Sequence, residues 1–336
     1  MIARSNFSRR FGLGTFLLLA LLLLAAFLLN LCVGSLDISF ADVVRTLFTT
    51  NGDSLQQAVI LKIRLPRACL ALLVGASLGA SGATFQAILR NPLADPYLLG
   101  ISGGAALGAV LAISLGFAGA LFIPAAAFLG AMGALGGVYL VARAYRSSTQ
   151  TLILSGVMIG SLASALLLFI LWSTPADPTR AAIFWLAGDL ANADISLIPA
   201  AAFGMMAIFL LLWMQASSLD LLTQGEDAAT DLGLSVGRSR FFLFLFAGAL
   251  TSIAVSLAGL VGFVGLVVPH VVRLLWGPSH RGLLPGAALV GGIFLVLADA
   301  VSRVVFAPAE IPVGVVTALI GAPFFLFLLR RKEGTL

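Results

Sequence analysis

Long apolar runs, broken by short polar turns, fill the chain from Gly12 to Leu329. About 20 mainly apolar residues are needed to cross a bilayer core, so this pattern predicts about ten spans. The first three lie near Gly12–Val33, Leu65–Leu89 and Tyr97–Leu115. The next three lie near Gly119–Val141, Thr151–Trp172 and Ile195–Met214, and the last four near Phe241–Leu257, Gly262–Trp276, Leu283–Val305 and Pro312–Leu329. Gly34 to Lys62 is polar and partly amphipathic. Asp95 is placed to cap the third span and Pro96 to open it. The Ser173–Leu190 stretch contains AAIFWLAGDLA, too short to cross, with Asp177 as cap and Pro178 at the first helical position. It reads as a half-helix at the outer surface, which is tolerated at membrane depth only when buried in protein or lining a cavity. Small-xxx-small pairs such as Gly75/Gly79, Gly104/Gly108, Gly133/Gly137 and Gly156/Gly160 predict close helix contacts. The fold class is therefore an all-α polytopic membrane protein, one transmembrane domain over 1–336.

One polar island stands out, ASSLDLLTQGEDAATDLGLSVGRSR at Ala216–Arg240. Leu219, Leu222, Ala229 and Leu232 recur at helical spacing. Glu226 and Asp227 follow Gly225, where a helix dipole favours acids, and Gly233 suits a left-handed C-cap. Two short helices outside the bilayer, joined at Gly225, are predicted. They form either an ordinary loop between spans or a docking platform for a cytoplasmic partner.

Composition narrows the class further. The chain is 60% hydrophobic and 10% charged, with mean hydropathy +1.11, which excludes a soluble globular protein. A net charge of +5 could suit nucleic acid, but the basic residues divide by side. With the N-terminus inside, Arg45, Lys62, Arg64, Arg67, Arg180 and Arg303 fall outside, and the other thirteen of the nineteen fall in the cytoplasm. That asymmetry predicts cytoplasmic termini and a cytoplasmic island. Arg4, Arg9 and Arg10 before Phe11–Leu29 look like a signal peptide, but the apolar run is too long and no small-x-small site follows.

Catalytic chemistry is not visible. There is no HExxH or GxSxG pattern, and neither of the two lysines, Lys62 and Lys332, closes a phosphate-binding loop. Cys32 and Cys69 lack CxxC partners, and His270 and His280 are the only histidines. No cofactor or metal of its own is expected. Asp299, the one acid well inside a span, can pair with Arg303 a turn later. Any pump built on this chain must have ATP, with Mg²⁺, hydrolysed elsewhere. An ion-gradient-driven carrier is the alternative, and it needs intramembrane acids.

Several ordered blocks carry a family resemblance: RLPR at Arg64–Arg67, GASGATFQAILRNPLADPYLLGISGGAALGA from Gly79, GEDAATDLGL from Gly225 and GFVGLVVPHVVRL from Gly262. HRGLLPG from His280, LADAVSR from Leu297 and EIPVGVVTALIGAPFFLFLL from Glu310 extend it. The chain resembles the permease subunits of ABC importers for ferric siderophores, haem and cobalamin. The resemblance implies a homodimer in a bacterial inner membrane, two cytoplasmic ATPase subunits and an extracytoplasmic binding protein. It places ATPase coupling at Gly225, Glu226, Asp227, Ala228, Ala229, Leu232 and Gly233. It places binding-protein docking at Arg64, Arg67 and Arg303, as exposed cations at a wet rim, where lipid-anchoring arginines are the other reading. It places a cytoplasmic gate at Ser148 and Thr149, which could equally cap the fifth span. A passage for a bulky chelate is expected along the Gly- and Ala-rich second, third and fifth spans.

Overall fold

A computed structural model describes residues 12–34, 36–48, 55–117, 119–144, 149–192 and 194–333, with backbone alone from 328 onward. Helix α1 (Leu13–Cys32) leads to the short α2 (Phe40–Phe48), whose first turn Ser39 caps by accepting from the Asp42 N–H at 3.2 Å. Helix α3 (Leu55–Ala58) passes through a π-helical turn (Val59–Arg64) into α4 (Leu65–Ile88). A 3-10 turn (Pro96–Leu99) precedes α5 (Ile101–Ser114), α6 (Phe122–Ala144), α7 (Thr149–Ser173) and α8 (Ala176–Leu186). Then come α9 (Ile198–Met214), α10 (Ala216–Thr223), α11 (Glu226–Asp231), α12 (Val236–Ala258), α13 (Val264–Trp276), α14 (His280–Val304) and α15 (Val313–Glu333).

All ten apolar segments are helical, but four are not simple spans. Among the described residues, α1, the continuous Leu55–Ile88 rod, α6, α7, α12 and α14 are long and apolar enough to cross a membrane. Helices α9 and α10 form a pair bent by 53°, and α5, α13 and Val313–Phe327 of α15 are shorter apolar helices. Asp95 does cap, accepting from Tyr97 N–H at 2.8 Å, but what Pro96 opens is the 3-10 turn. Gly100, at φ +75°, ends that turn, and α5 starts after it. The half-helix likewise begins earlier than expected. Pro175 is its N-cap, and Asp177 sits inside its first turn.

The core is organised around α4, which is buried along most of its length. Helix α14 lies against it so closely that a Cβ on Gly75 would sit 2.2 Å from the Gly291 carbonyl oxygen. Helices α12 and α13 cover other faces of α4, while α5, α6 and α7 pack on one another as a second group. Non-helical backbone also runs inside the protein, at Gly259–Phe263. There the Tyr97 hydroxyl donates to Val261 O and accepts from Val261 N–H, both at 3.0 Å, so the exposed peptide groups are satisfied without water.

Candidate functional site

At the island end, the two short helices form as the sequence predicts. Gly225 takes φ +116°, a conformation that only glycine adopts readily, and this lets α11 start directly after α10. Gly233 takes φ +85°, and the Leu234 N–H closes back on Ala229 O at 2.9 Å. Ala229 is fully buried, anchoring α11, while Asp227, Leu232 and Gly233 are exposed; Leu232 is 62% exposed. Ala228 is half-buried. Glu226 ties the island to the bundle. It accepts from Arg240, at the start of α12, and lies 3.5 Å from Arg90, just past α4. A second tie holds α10 to α14. Asp220 accepts the His280 N–H at 2.8 Å and faces His280 Nδ1 at 2.6 Å. Burial raises the Asp220 carboxyl, but hydrogen bonds from the His280 ring and backbone and from Ser279 outweigh it and hold the group below the usual range. The latch therefore stands at neutral pH and is lost only in acid, as the carboxylate protonates.

At the opposite end, the expected exposure of the three arginines is corrected. Arg64, Arg67 and Arg303 are only 3%, 5% and 5% exposed. Arg64 turns inward and donates to the carbonyls of Leu31 and Cys32, which lack helical partners at the end of α1, and to that of Leu36 beyond it. Arg67 Nε donates to Asp299 at 2.6 Å, and its Nη1 to Glu310. Arg303 lies 3.3 Å from Asp299 and donates to Asn30 O at 2.8 Å. Asn30 Nδ2 also donates to Asp299 at 2.9 Å. A buried carboxylate holds two of the guanidiniums, and backbone carbonyls hold that of Arg64. The Asp299–Arg303 pair expected from the sequence is present, but Arg67, Asn30 and Glu310 escaped it, because they are far apart in the chain.

Beside this cluster lies a cavity of about 670 Å³, lined by Arg67, Trp185, Asp189, Asn192, Glu310 and neighbouring backbone. Part of its wall is irregular chain around Gly188 and Glu310–Val313, where Val313 N–H donates to Gly188 O at 3.1 Å. The half-helix and its following glycine were the sequence signal for it. A second, apolar cavity of about 630 Å³ lies among α5, α6 and α7. Helices α5 and α7, the third and fifth predicted spans, share its walls with α6. The second, α4, is core along most of its length and reaches the larger cavity only through Arg67. Thr149 is the first residue of α7, half-buried, and Ser148 lies outside the described residues.

The model of the FecCD transport family matches residues 22–331. The chain belongs to the FecCD transport family. This FecCD chain is 45% identical over 278 residues to the cobalamin import system permease protein BtuC of Halobacterium salinarum, covering 82% of this chain and 74% of that one. It is 38% identical to the hemin transport system permease protein HmuU of Yersinia pestis, over 95% of each chain. A solved inward-facing metal-chelate type ABC transporter matches with TM-score 0.84 and 32% identity, over 95% of this chain and 99% of that one. The FecCD chain is thus a multi-pass permease subunit of an ATP-driven importer, and neither an enzyme nor an ion-gradient-driven carrier.

Proposed function

We propose that the chain works as a homodimer and passes a bulky metal chelate from a soluble binding protein to the cytoplasm, through a pathway along the dimer axis. Two separate ATPase subunits, which bind ATP and Mg²⁺, dock on Gly225–Gly233 and drive it. Both termini and the island face the cytoplasm of a bacterial inner membrane. The whole-length match to permeases named for cobalamin and hemin supports this reading. The observation that carries it is the geometry of the island. Its helices are fixed to three different bundle elements by Glu226 and Asp220, yet Asp227, Leu232 and Gly233 are left exposed. A separate motor needs such a rigid, uncovered place to push.

Thr149, with Ser148, is assigned to the inner gate beside the two-fold axis. Arg64, Arg67 and Arg303 take a different part in docking from the one their sequence suggested. They brace the outer rim from within, and the binding protein meets the surface they hold. Cobalamin is the first ligand to test, followed by haem and ferric siderophores.

The experiment is reconstitution with the cognate ATPase and binding protein in liposomes. Replacing Glu226 and Gly233 together by alanine should abolish binding-protein-stimulated ATP hydrolysis while the membrane bundle of the purified permease stays folded. Uptake by the permease alone under an imposed proton or sodium gradient would sink the proposal.

A further inference from the structure

A third cavity, of about 270 Å³, lies between the end of α4, α10 and the α13–α14 turn. Its chemistry is one-sided. Arg90, Arg273 and His280 line it, and among the described residues no acidic one does. We infer that this cavity binds a phosphate group at the membrane boundary, independently of the transported chelate.

Each cation is prepared differently. Arg273 is positioned by Gln86, whose Oε1 accepts from it at 2.9 Å and whose amide donates to Leu266 O at 3.2 Å. Among the described residues no carboxylate pairs with Arg273. Arg90 has a left-handed backbone, φ 46°, unusual for arginine. Its one acidic contact, Glu226, is long at 3.5 Å and is shared with Arg240. His280 is 3% exposed, and its buried Nε2 has no hydrogen-bond partner among the described residues. Asp220 faces the other ring nitrogen, Nδ1, so Nε2 is the ring atom left for a further partner. Asp220 and Glu226 are the carboxylates that face these groups, and both are already engaged. Two guanidinium forks and a buried imidazole without a ligand suit the tetrahedral oxygens of phosphate.

The depth of the site also favours phosphate. The Trp213 indole N–H donates to Arg281 O at 3.0 Å, one residue from His280, and tryptophan marks the headgroup level. Leu274 and Leu275, next to Arg273, are exposed as lipid-facing residues are. Basic pockets at this level, between spans, recognise phosphorylated headgroups. An acidic side chain of the ATPase is a competitor of another class, but nothing in the cavity's depth selects it.

The test uses the purified full chain in detergent, with native mass spectrometry and thermal unfolding as readouts. The probes are phosphatidylglycerol, phosphatidylcholine and inorganic phosphate. Phosphatidylglycerol should be retained at one site and should stabilise the chain, with phosphatidylcholine weaker. Arg90→Gln and Arg273→Gln should each weaken retention by about five- to tenfold, whereas Arg238→Gln, at an exposed arginine outside the cavity, should not. If inorganic phosphate stabilises the wild type and both cavity variants blunt that effect, the site takes the free anion as well. A response to the lipid alone assigns it to a headgroup. Arg90→Gln removes a half-exposed side chain and keeps the fold, so it decides the matter even if Arg273→Gln unfolds. The inference is overturned if none of the three probes distinguishes wild type from Arg90→Gln. With the ATPase subunit added to the same thermal assay, it is overturned equally if that subunit alone, and no probe, stabilises wild type over Arg90→Gln.

Discussion

Asp299 is the most consequential single residue at the arginine end. It is fully buried, and it faces Arg67 and Arg303 with Asn30 as a further donor. Removing one member of a buried ion cluster leaves uncompensated charge, which typically costs about 3–5 kcal/mol. Asp299→Asn should therefore lower the unfolding temperature of the purified chain sharply. Arg180→Ala removes an exposed arginine whose guanidinium lies 5.9 Å from the Phe184 ring, and should change it little. Equal effects of the two would show that the cluster adds nothing to stability. At this scale the sequence was half legible. The i, i+4 spacing of Asp299 and Arg303 announced a pair, because helical neighbours are fixed by geometry. Nothing local distinguishes Arg64 or Arg67 from an anchor or a docking cation, because the carbonyls and carboxylate that claim them come from α1, α14 and Glu310.

Among the elements, the α4–α14 seam is a close backbone contact that a single methyl would damage. Helix pairs in lipid lack a hydrophobic drive and depend on close packing. A methyl at Gly75 would collide with the Gly291 carbonyl, while one at Gly133 has nothing within 4 Å. Gly75→Ala should cost about 1–3 kcal/mol or more in thermal or denaturant unfolding. Gly133→Ala should be silent, and if both were silent the seam would not be close-packed. The hydropathy pattern revealed the helices themselves, along with both island helices and their glycine joints, because these follow from local chemistry. It could not tell which glycine pairs meet a partner, since Gly75/Gly79 and Gly133/Gly137 look alike in sequence. It placed the break between α12 and α13, but not the side chain that completes it, because Tyr97, which satisfies the Val261 peptide groups, lies 164 residues away.

At the scale of the whole molecule, the proposed homodimer makes a claim about Thr149, at the start of α7. Helix α7 carries Leu154, Met158 and Leu162 exposed at successive four-residue steps, so one apolar face is free for lipid or a second copy. In a cysteine-free background, Thr149→Cys should cross-link between the two chains when the gate is closed, and more slowly when it is trapped open to the cytoplasm. Equal rates in every nucleotide state would remove the gate from this position. The two ends of the chain are joined by α14. Its 25 residues span about 37 Å, more than a bilayer core. Asp220 holds its first residue, and Arg67 and Asn30 hold Asp299 near its last. A strut pinned at both tips has few ways to move. Any displacement of α10 that keeps the Asp220 latch must carry α14 with it, and α14 cannot travel without dragging or snapping its far anchor. The two ends therefore share one mechanical degree of freedom, with no deformable joint needed between them.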